Sequence, residues 1–171
     1  MVQTLQTSAR KPGQSQPGQS QPGQIVRSWR EQRSSIDTIV RETRRWIVSM
    51  SPETSDPERE LAAMMAEFAG SLRSHFDCGC ELYDSLAEQL WCVEVELAKR
   101  TAQADHCHLL ASLSGLTAKL QDAGSPDEGF KGAVAGFLSS VEELEWFFDQ
   151  LDQHEEREAD SFEWLLQANC D

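Results

Sequence analysis

Long apolar runs and strand-like alternation are both missing from this sequence of 171 residues. No stretch approaches the roughly 18 consecutive apolar residues that a membrane-spanning helix needs, and residues 1–6 lack the apolar core of a secretory signal. We therefore expect a cytoplasmic protein with no membrane partner. We also recognise no Gly-rich phosphate-binding loop, no nucleophile with its base and no substrate-binding motif. We therefore do not expect an enzyme.

Cysteines and basic residues are also scarce. The five cysteines are odd in number and show no framework spacing, so reduced thiols are expected rather than disulfides. Because the whole chain has a net charge of −14 and residues 1–49 carry eight basic against three acidic residues, residues 50–171 carry −19. A surface this acidic argues against nucleic acid as a partner.

The basic residues near the N-terminus cluster on the first predicted helix, where they are Arg27, Arg30, Arg33, Arg41, Arg44 and Arg45. A basic amphipathic helix can bind a membrane or a nucleic acid, but strongly acidic helices follow this one in the chain. We therefore expect intramolecular ion pairs.

Residues 1–24 differ in composition from the rest of the chain, because they include a repeated Gln-Pro-Gly-Gln-Ser pentapeptide. Such a composition cannot bury a hydrophobic core. We expect a disordered Pro/Gly/Gln/Ser-rich tail over residues 1–24 and one folded domain over residues 25–171.

Within the folded domain, apolar residues recur at intervals of three and four, which is the period of an amphipathic helix. Asp56 suits an N-cap and Pro57 the first helical position, whereas Gly79 predicts a broken helix over residues 78–90. The predicted helices span residues 25–48, a segment from 57 onward, 92 or 96 to 120, and a segment after 127 to 166. Four helices with short connections predict an all-α, antiparallel up-down four-helix bundle.

Histidines interrupt the apolar stripes of three of these helices. His75, His106 and His154 lie on or beside core-facing positions, and Glu158 follows His154 by one helical turn on an otherwise apolar stripe. A buried carboxylate needs a metal ion, a cationic partner, a proton or access to water. Imidazole nitrogens and carboxylate oxygens suit iron and zinc, and helical bundles commonly build such sites. These four residues are the predicted metal ligands.

Other residues near this cluster have simpler interpretations. His108 is expected on the surface, and the acidic residues of the last helix are expected to form a solvated face. The cysteines could serve as zinc ligands, but we favour a core position for Cys78, Cys80 and Cys107. Trp46, Trp91, Trp146 and Trp164 are interpreted as packing residues.

The sequence around the histidines resembles the hemerythrin-like, or HHE cation-binding, domain family over residues 25–171. The matching segments are residues 72–76 (LRSHF), 105–113 (DHCHLLASL) and 154–158 (HEERE). The resemblance implies an antiparallel four-helix bundle with a non-haem di-iron centre. It also implies that His75 is a second-helix ligand, His106 a third-helix ligand, and His154 with Glu158 the fourth-helix pair.

Two departures from the family pattern alter the expected site. No histidine precedes His75, and Arg33 or Ile36 lies near the position of the family's first-helix histidine; Gly79 stands where a carboxylate is expected. We therefore expect a mononuclear iron or zinc site rather than a full di-iron centre, in a sensor or storage protein. The alternative is a metal-free protein-interaction domain on the same scaffold, in which Arg33 pairs with Glu158.

Overall fold

The computed structural model describes residues 22–50, 56–90, 92–123 and 130–168. These residues form four helices, α1 (Pro22–Ser49), α2 (Pro57–Leu90), α3 (Val93–Ala123) and α4 (Phe130–Ala168), with no strand among them. The predicted disordered tail lies outside the described residues up to residue 21. Helix α1 begins at Pro22, three residues before the predicted start of the domain.

The start of α2 follows the sequence prediction. The Arg59 amide donates a hydrogen bond to Asp56 Oδ1 at 3.3 Å, and the Glu60 amide donates to the Asp56 carbonyl at 3.1 Å. Asp56 is therefore the N-cap of α2, as predicted.

The predicted break in α2 is wrong, because the helix continues through Gly79 to Leu90. Leu82, Tyr83 and Leu86 are fully buried beyond the glycine. Their packing offsets the roughly 1 kcal/mol that a glycine costs in a helix interior.

The helices pack as an all-α four-helix bundle, which confirms the predicted fold. Each helix packs against its neighbour in the sequence, and a sparser contact between α1 and α4 closes the bundle. The loops are short relative to the helices, so successive helices run antiparallel. None of the described helices combines the length and apolarity that crossing a bilayer requires.

The core consists of two apolar clusters, one towards each end of the bundle. In α2, for example, Leu72 belongs to one cluster and Leu82 to the other. Buried polar side chains occupy the level between the clusters and form what we call the polar layer: His75, His106, His154, Glu155 and Glu158. The polar layer is therefore a cross-section of the bundle to which α2, α3 and α4 all contribute.

The basic face of α1 pairs with α4, as predicted, through Arg44. Its guanidinium lies 2.8 Å from Glu145, 3.6 Å from Asp149 and 4.0 Å from Asp152. These pairs are partly exposed, so each contributes little to stability, but they help to align α1 with α4.

Candidate metal site

Helix α4 supplies three members of the polar layer within five residues: His154, Glu155 and Glu158. His154 and Glu158 are one turn apart and share a face, and Glu155 lies beside them towards α1 and α2. All three side chains are almost completely buried. Two groups of potential ligand atoms result, and both include Glu158.

The first triplet consists of His106, His154 and Glu158. His106 Nε2 lies 3.5 Å from Glu158 Oε1, and His154 Nε2 lies 3.9 Å from Glu158 Oε2. His106 Nε2, His154 Nε2 and Glu158 Oε1 are all buried without a hydrogen-bond partner among the described residues. The 3.5 Å contact between His106 Nε2 and Glu158 Oε1 satisfies these two atoms only weakly. Leaving buried polar atoms unsatisfied costs about 1–3 kcal/mol each, so this cluster calls for a physical explanation.

The spacing of these atoms fits a coordinated ion. Bonds of about 2.0–2.2 Å to zinc or iron place neighbouring ligand atoms of a tetrahedral site about 3.4 Å apart. The potential ligand atoms of the first triplet lie within 4.8 Å of one another. Small side-chain rotations would therefore bring two imidazole nitrogens and one carboxylate oxygen into a single coordination sphere.

Neighbouring groups orient both imidazoles of the first triplet. His154 Nδ1 lies 3.5 Å from Asp105 Oδ2, and His106 Nδ1 lies 3.8 Å from Cys80 Sγ. The Phe76 ring stacks on the His106 ring with a centroid distance of 3.9 Å and an interplanar angle of 6°. Because a proton on His154 Nδ1 is favoured by the Asp105 carboxylate, the lone pair of Nε2 remains available to an ion.

Burial and neighbouring groups shift the pKa values of His154 and Glu158 towards the protonation states that a metal requires. Burial lowers the pKa of His154 below its ordinary value and outweighs the opposing effect of the Glu158 charge. Burial alone would raise the pKa of Glu158, but the neighbouring His106, His154 and His75 imidazoles more than compensate, so this pKa is lowered. A neutral imidazole and an ionised carboxylate are the forms that bind a metal ion.

The Glu158 carboxylate is positioned from two sides. The Trp29 indole N–H of α1 donates a hydrogen bond to Glu158 Oε2 at 3.2 Å. On the opposite side, a Cβ atom at Gly79 would lie 2.9 Å from Glu158 Oε1. The missing side chain of Gly79 thus provides the space in which the carboxylate turns towards the two histidines.

Gly79→Ala should therefore displace Glu158, whereas Gly70→Ala in the same helix meets no atom within 4 Å. We expect Gly70→Ala to raise the free energy of unfolding by about 0.5–1 kcal/mol through helix propensity. Gly79→Ala should lose this gain to the clash and should weaken metal binding. Urea denaturation and metal titration of both variants measure these effects, and equal stabilisation with unchanged metal affinity would contradict the proposed role of Gly79.

The second triplet consists of His75, Glu155 and Glu158. The His75 Nε2–H group donates to Glu155, with distances of 2.9 and 3.0 Å to the two carboxylate oxygens. Arg33 Nε of α1 lies 3.6 Å from Glu155 Oε2. Unlike the first triplet, this group contains a buried carboxylate that a hydrogen bond and a cation already satisfy.

The four predicted ligands are thus all buried in the polar layer, but they divide between two triplets. His106, His154 and Glu158 come together in the first, and His75 lies in the second. Arg33 does not pair with Glu158, as the metal-free alternative supposed, because its guanidinium pairs with Glu155 instead.

Sequence reasoning missed Glu155, since the acidic residues of α4 were assigned to a solvated face. The signal was its spacing, because Glu155 follows the core residue Leu151 by four positions and precedes Glu158 by three. Ile36, the other residue considered near the expected first-helix ligand, is a core residue. His108 is exposed, as predicted.

The cysteines and tryptophans follow their predicted roles only in part. Cys78 is buried and Cys80 half-buried, and burial raises the pKa of both thiols, which disfavours the thiolate form that zinc prefers. The predicted core position of Cys107 is wrong because it is exposed. Trp46 packs against the core, whereas Trp146 and Trp164 are more than half exposed. Trp91 lies outside the described residues.

A cleft of about 320 Å³ between α3 and α4 reaches the first triplet from the surface. His154 and Glu158 lie at its inner end, and Asp105, Arg157 and Ser161 supply polar groups along it. Arg157 donates a hydrogen bond to Asp105 at 2.9 Å across the cleft. The cleft therefore leads from the surface towards the first triplet, whose ligand atoms are buried at its inner end.

No protein-family model, curated protein or solved structure matches this chain. The functional interpretation therefore depends on the bundle and on its buried His/Glu groups, which could hold a metal ion.

Proposed function

We propose that this protein is a hemerythrin-like cation-binding module that holds one iron or zinc ion at His106, His154 and Glu158. The observation that carries the proposal is the convergence of three buried potential metal-ligand atoms without hydrogen-bond partners among the described residues: His106 Nε2, His154 Nε2 and Glu158 Oε1. A bound ion would satisfy all three at once. The resemblance around the histidines and the four-helix architecture support the same family.

The donor set determines which ions are suitable. Two imidazoles and one carboxylate suit both zinc and non-haem iron, and three protein ligands leave a coordination position for water or a small ligand. The carboxylate–histidine contact between Asp105 and His154 is the outer-sphere arrangement common at such ions.

We propose a role in binding rather than catalysis, and in sensing rather than storage. The first triplet is buried, and the cleft that leads to it has a volume of about 320 Å³, which favours an ion or a small molecule over an extended substrate. One ion per chain is a small capacity for storage. A change at one ion could instead be transmitted through α2, α3 and α4, which form the polar layer, and through α1, which contacts it.

Metal titration of chelator-treated protein tests the proposal. We expect the wild-type chain to bind one equivalent of Zn²⁺ or Fe²⁺, measured by elemental analysis after gel filtration and by calorimetry. His106→Ala should lower the affinity at least about 10–100-fold, since outer-sphere changes alone have effects of that size.

His108→Ala is the matched control, because His108 lies two residues further along α3 and is exposed. Its metal affinity should equal that of the wild type. Wild-type protein that binds neither ion would overturn the proposal and favour the alternative, a metal-free interaction domain on the same scaffold.

A further inference from the structure

We propose that Arg33 acts as a tethered cation that closes the second triplet to a metal ion and so limits the protein to one ion. This inference rests on the proposed function of the first triplet. The two triplets share Glu158, and both offer three buried ligand atoms within 4.8 Å of one another. They differ in their neighbours. Among the described residues, a guanidinium forms an ion pair with the second triplet, where Arg33 contacts Glu155, but not with the first.

The second triplet has the ligand atoms that a cation site requires. Both carboxylate oxygens of Glu155 lie within hydrogen-bond distance of His75 Nε2, and the Glu155 side chain is only 4% exposed. The other ring nitrogen, His75 Nδ1, has no hydrogen-bond partner among the described residues. Without Arg33, Glu155 would have no compensating full charge within ion-pair distance in the described part of the bundle.

The position of Arg33 is fixed from α1. Its guanidinium carbon lies 5.7 Å from the centroid of the Trp29 ring, and that ring stacks on His75 with a centroid distance of 5.8 Å. Trp29 also donates to Glu158, so the i and i+4 residues of α1 contact the two acidic residues of the polar layer. The guanidinium is therefore held within ion-pair distance of Glu155, a carboxylate that a second ion would need as a ligand.

Arg33 reaches the second triplet from the surface of the bundle. Its side chain is 30% exposed and lines a groove of about 760 Å³ between α1 and α4, together with Trp29, Arg30 and Phe162. Arginine stays protonated and offers no lone pair, so it repels a metal ion while it neutralises Glu155. Removing its charge leaves the carboxylate available to an ion that enters through the groove.

Arg33→Met tests this inference, because methionine keeps an apolar stem against Trp29 but carries no charge. Chelator-treated wild-type and variant proteins are titrated with Zn²⁺, and bound metal is counted by calorimetry and elemental analysis. We expect one equivalent in the wild type and a second in Arg33→Met. Arg33→Lys, which keeps the charge, should remain at one, and both variants are checked for folding by circular dichroism.

Arg30→Met is the matched control, because Arg30 lines the same groove one turn earlier and forms no ion pair with the described residues. It should remain at one equivalent. One equivalent in both wild type and folded Arg33→Met would overturn this inference and leave the proposed function standing. Two equivalents in the wild type would overturn this inference and the proposed stoichiometry of one ion, but not metal binding itself. No metal in the wild type would overturn the proposed function; in that case one equivalent in Arg33→Met would still support the closed second triplet, and none would overturn both.

Discussion

Glu158→Gln should abolish stoichiometric metal binding while the bundle remains folded. The substitution removes the negative charge that both triplets share but keeps a side-chain oxygen that can accept the Trp29 hydrogen bond. The loss of one of three ligands should exceed the roughly 10–100-fold effect of outer-sphere changes on metal affinity. Calorimetric titration with Zn²⁺ measures the affinity, and circular dichroism verifies the fold.

Glu158→Ala separates the metal from the hydrogen bond. It should also lose the metal, and in addition it leaves the buried Trp29 N–H without its acceptor, at a cost of about 1–3 kcal/mol. Glu156→Gln controls for the loss of one charge from α4, because Glu156 is exposed. If Glu158→Gln kept one tightly bound ion, the ion would have to bind elsewhere in the protein.

Acid should release the metal and destabilise the metal-free bundle. The pKa of His154 is lowered from 6.5 and that of Glu158 from 4.5, so in the acidic range each of these two groups binds a proton more readily in the unfolded chain than in the folded chain. Stability therefore rises with pH across this range. The contribution of His154 is lost as the pH falls below 6.5, and that of Glu158 is lost below 4.5.

The groups that face His154 act on its pKa in both directions. The charges of Glu158 and Glu155 and the contact with Asp105 raise it, but burial and the His106 imidazole lower it and prevail. Metal binding falls more steeply with acid than stability does, because each ligand that must lose a proton costs about tenfold in affinity per pH unit below its pKa.

Urea denaturation of metal-free protein between pH 5 and pH 8, compared with Zn²⁺ titrations at the same pH values, measures both effects. His154→Gln should flatten the stability profile between about pH 5 and 6.5, where a histidine titrates. His108→Ala should leave the profile unchanged because His108 is exposed. Greater stability at pH 5 than at pH 7.5 in the metal-free wild type would contradict the expected sign.

The helical architecture could be predicted from spacing alone, because buried positions recur at intervals of four and three in each helix. The error over residues 78–90 arose from giving the helix propensity of Gly79 more weight than the repeat. Leu82 and Leu86 continue the same stripe beyond the glycine and are fully buried. The tertiary contacts of these residues outweighed the local propensity.

The site was less predictable, because ligand pairing depends on how each helix is rotated about its axis. The spacing of residues along α4 places Glu155 and Glu158 in the core. It does not predict that Arg33 contacts Glu155 or that Trp29 contacts Glu158. The contact between Asp105 and His154 likewise joins α3 to α4. Such interhelical contacts depend on the packing of the assembled bundle, not on the period of any one helix.

The polar layer also determines which alignment of the four helices is stable. An apolar repeat of four and three residues fits its partners almost equally well after a slide of one heptad, about 10 Å along the axis. Such a slide of α4 would carry Glu155 and Glu158 out of reach of Arg33 and Trp29 and into an apolar cluster. Each carboxylate buried without a partner costs several kcal/mol. We therefore expect these residues to make misaligned bundles less stable than the native one, even before any ion is bound.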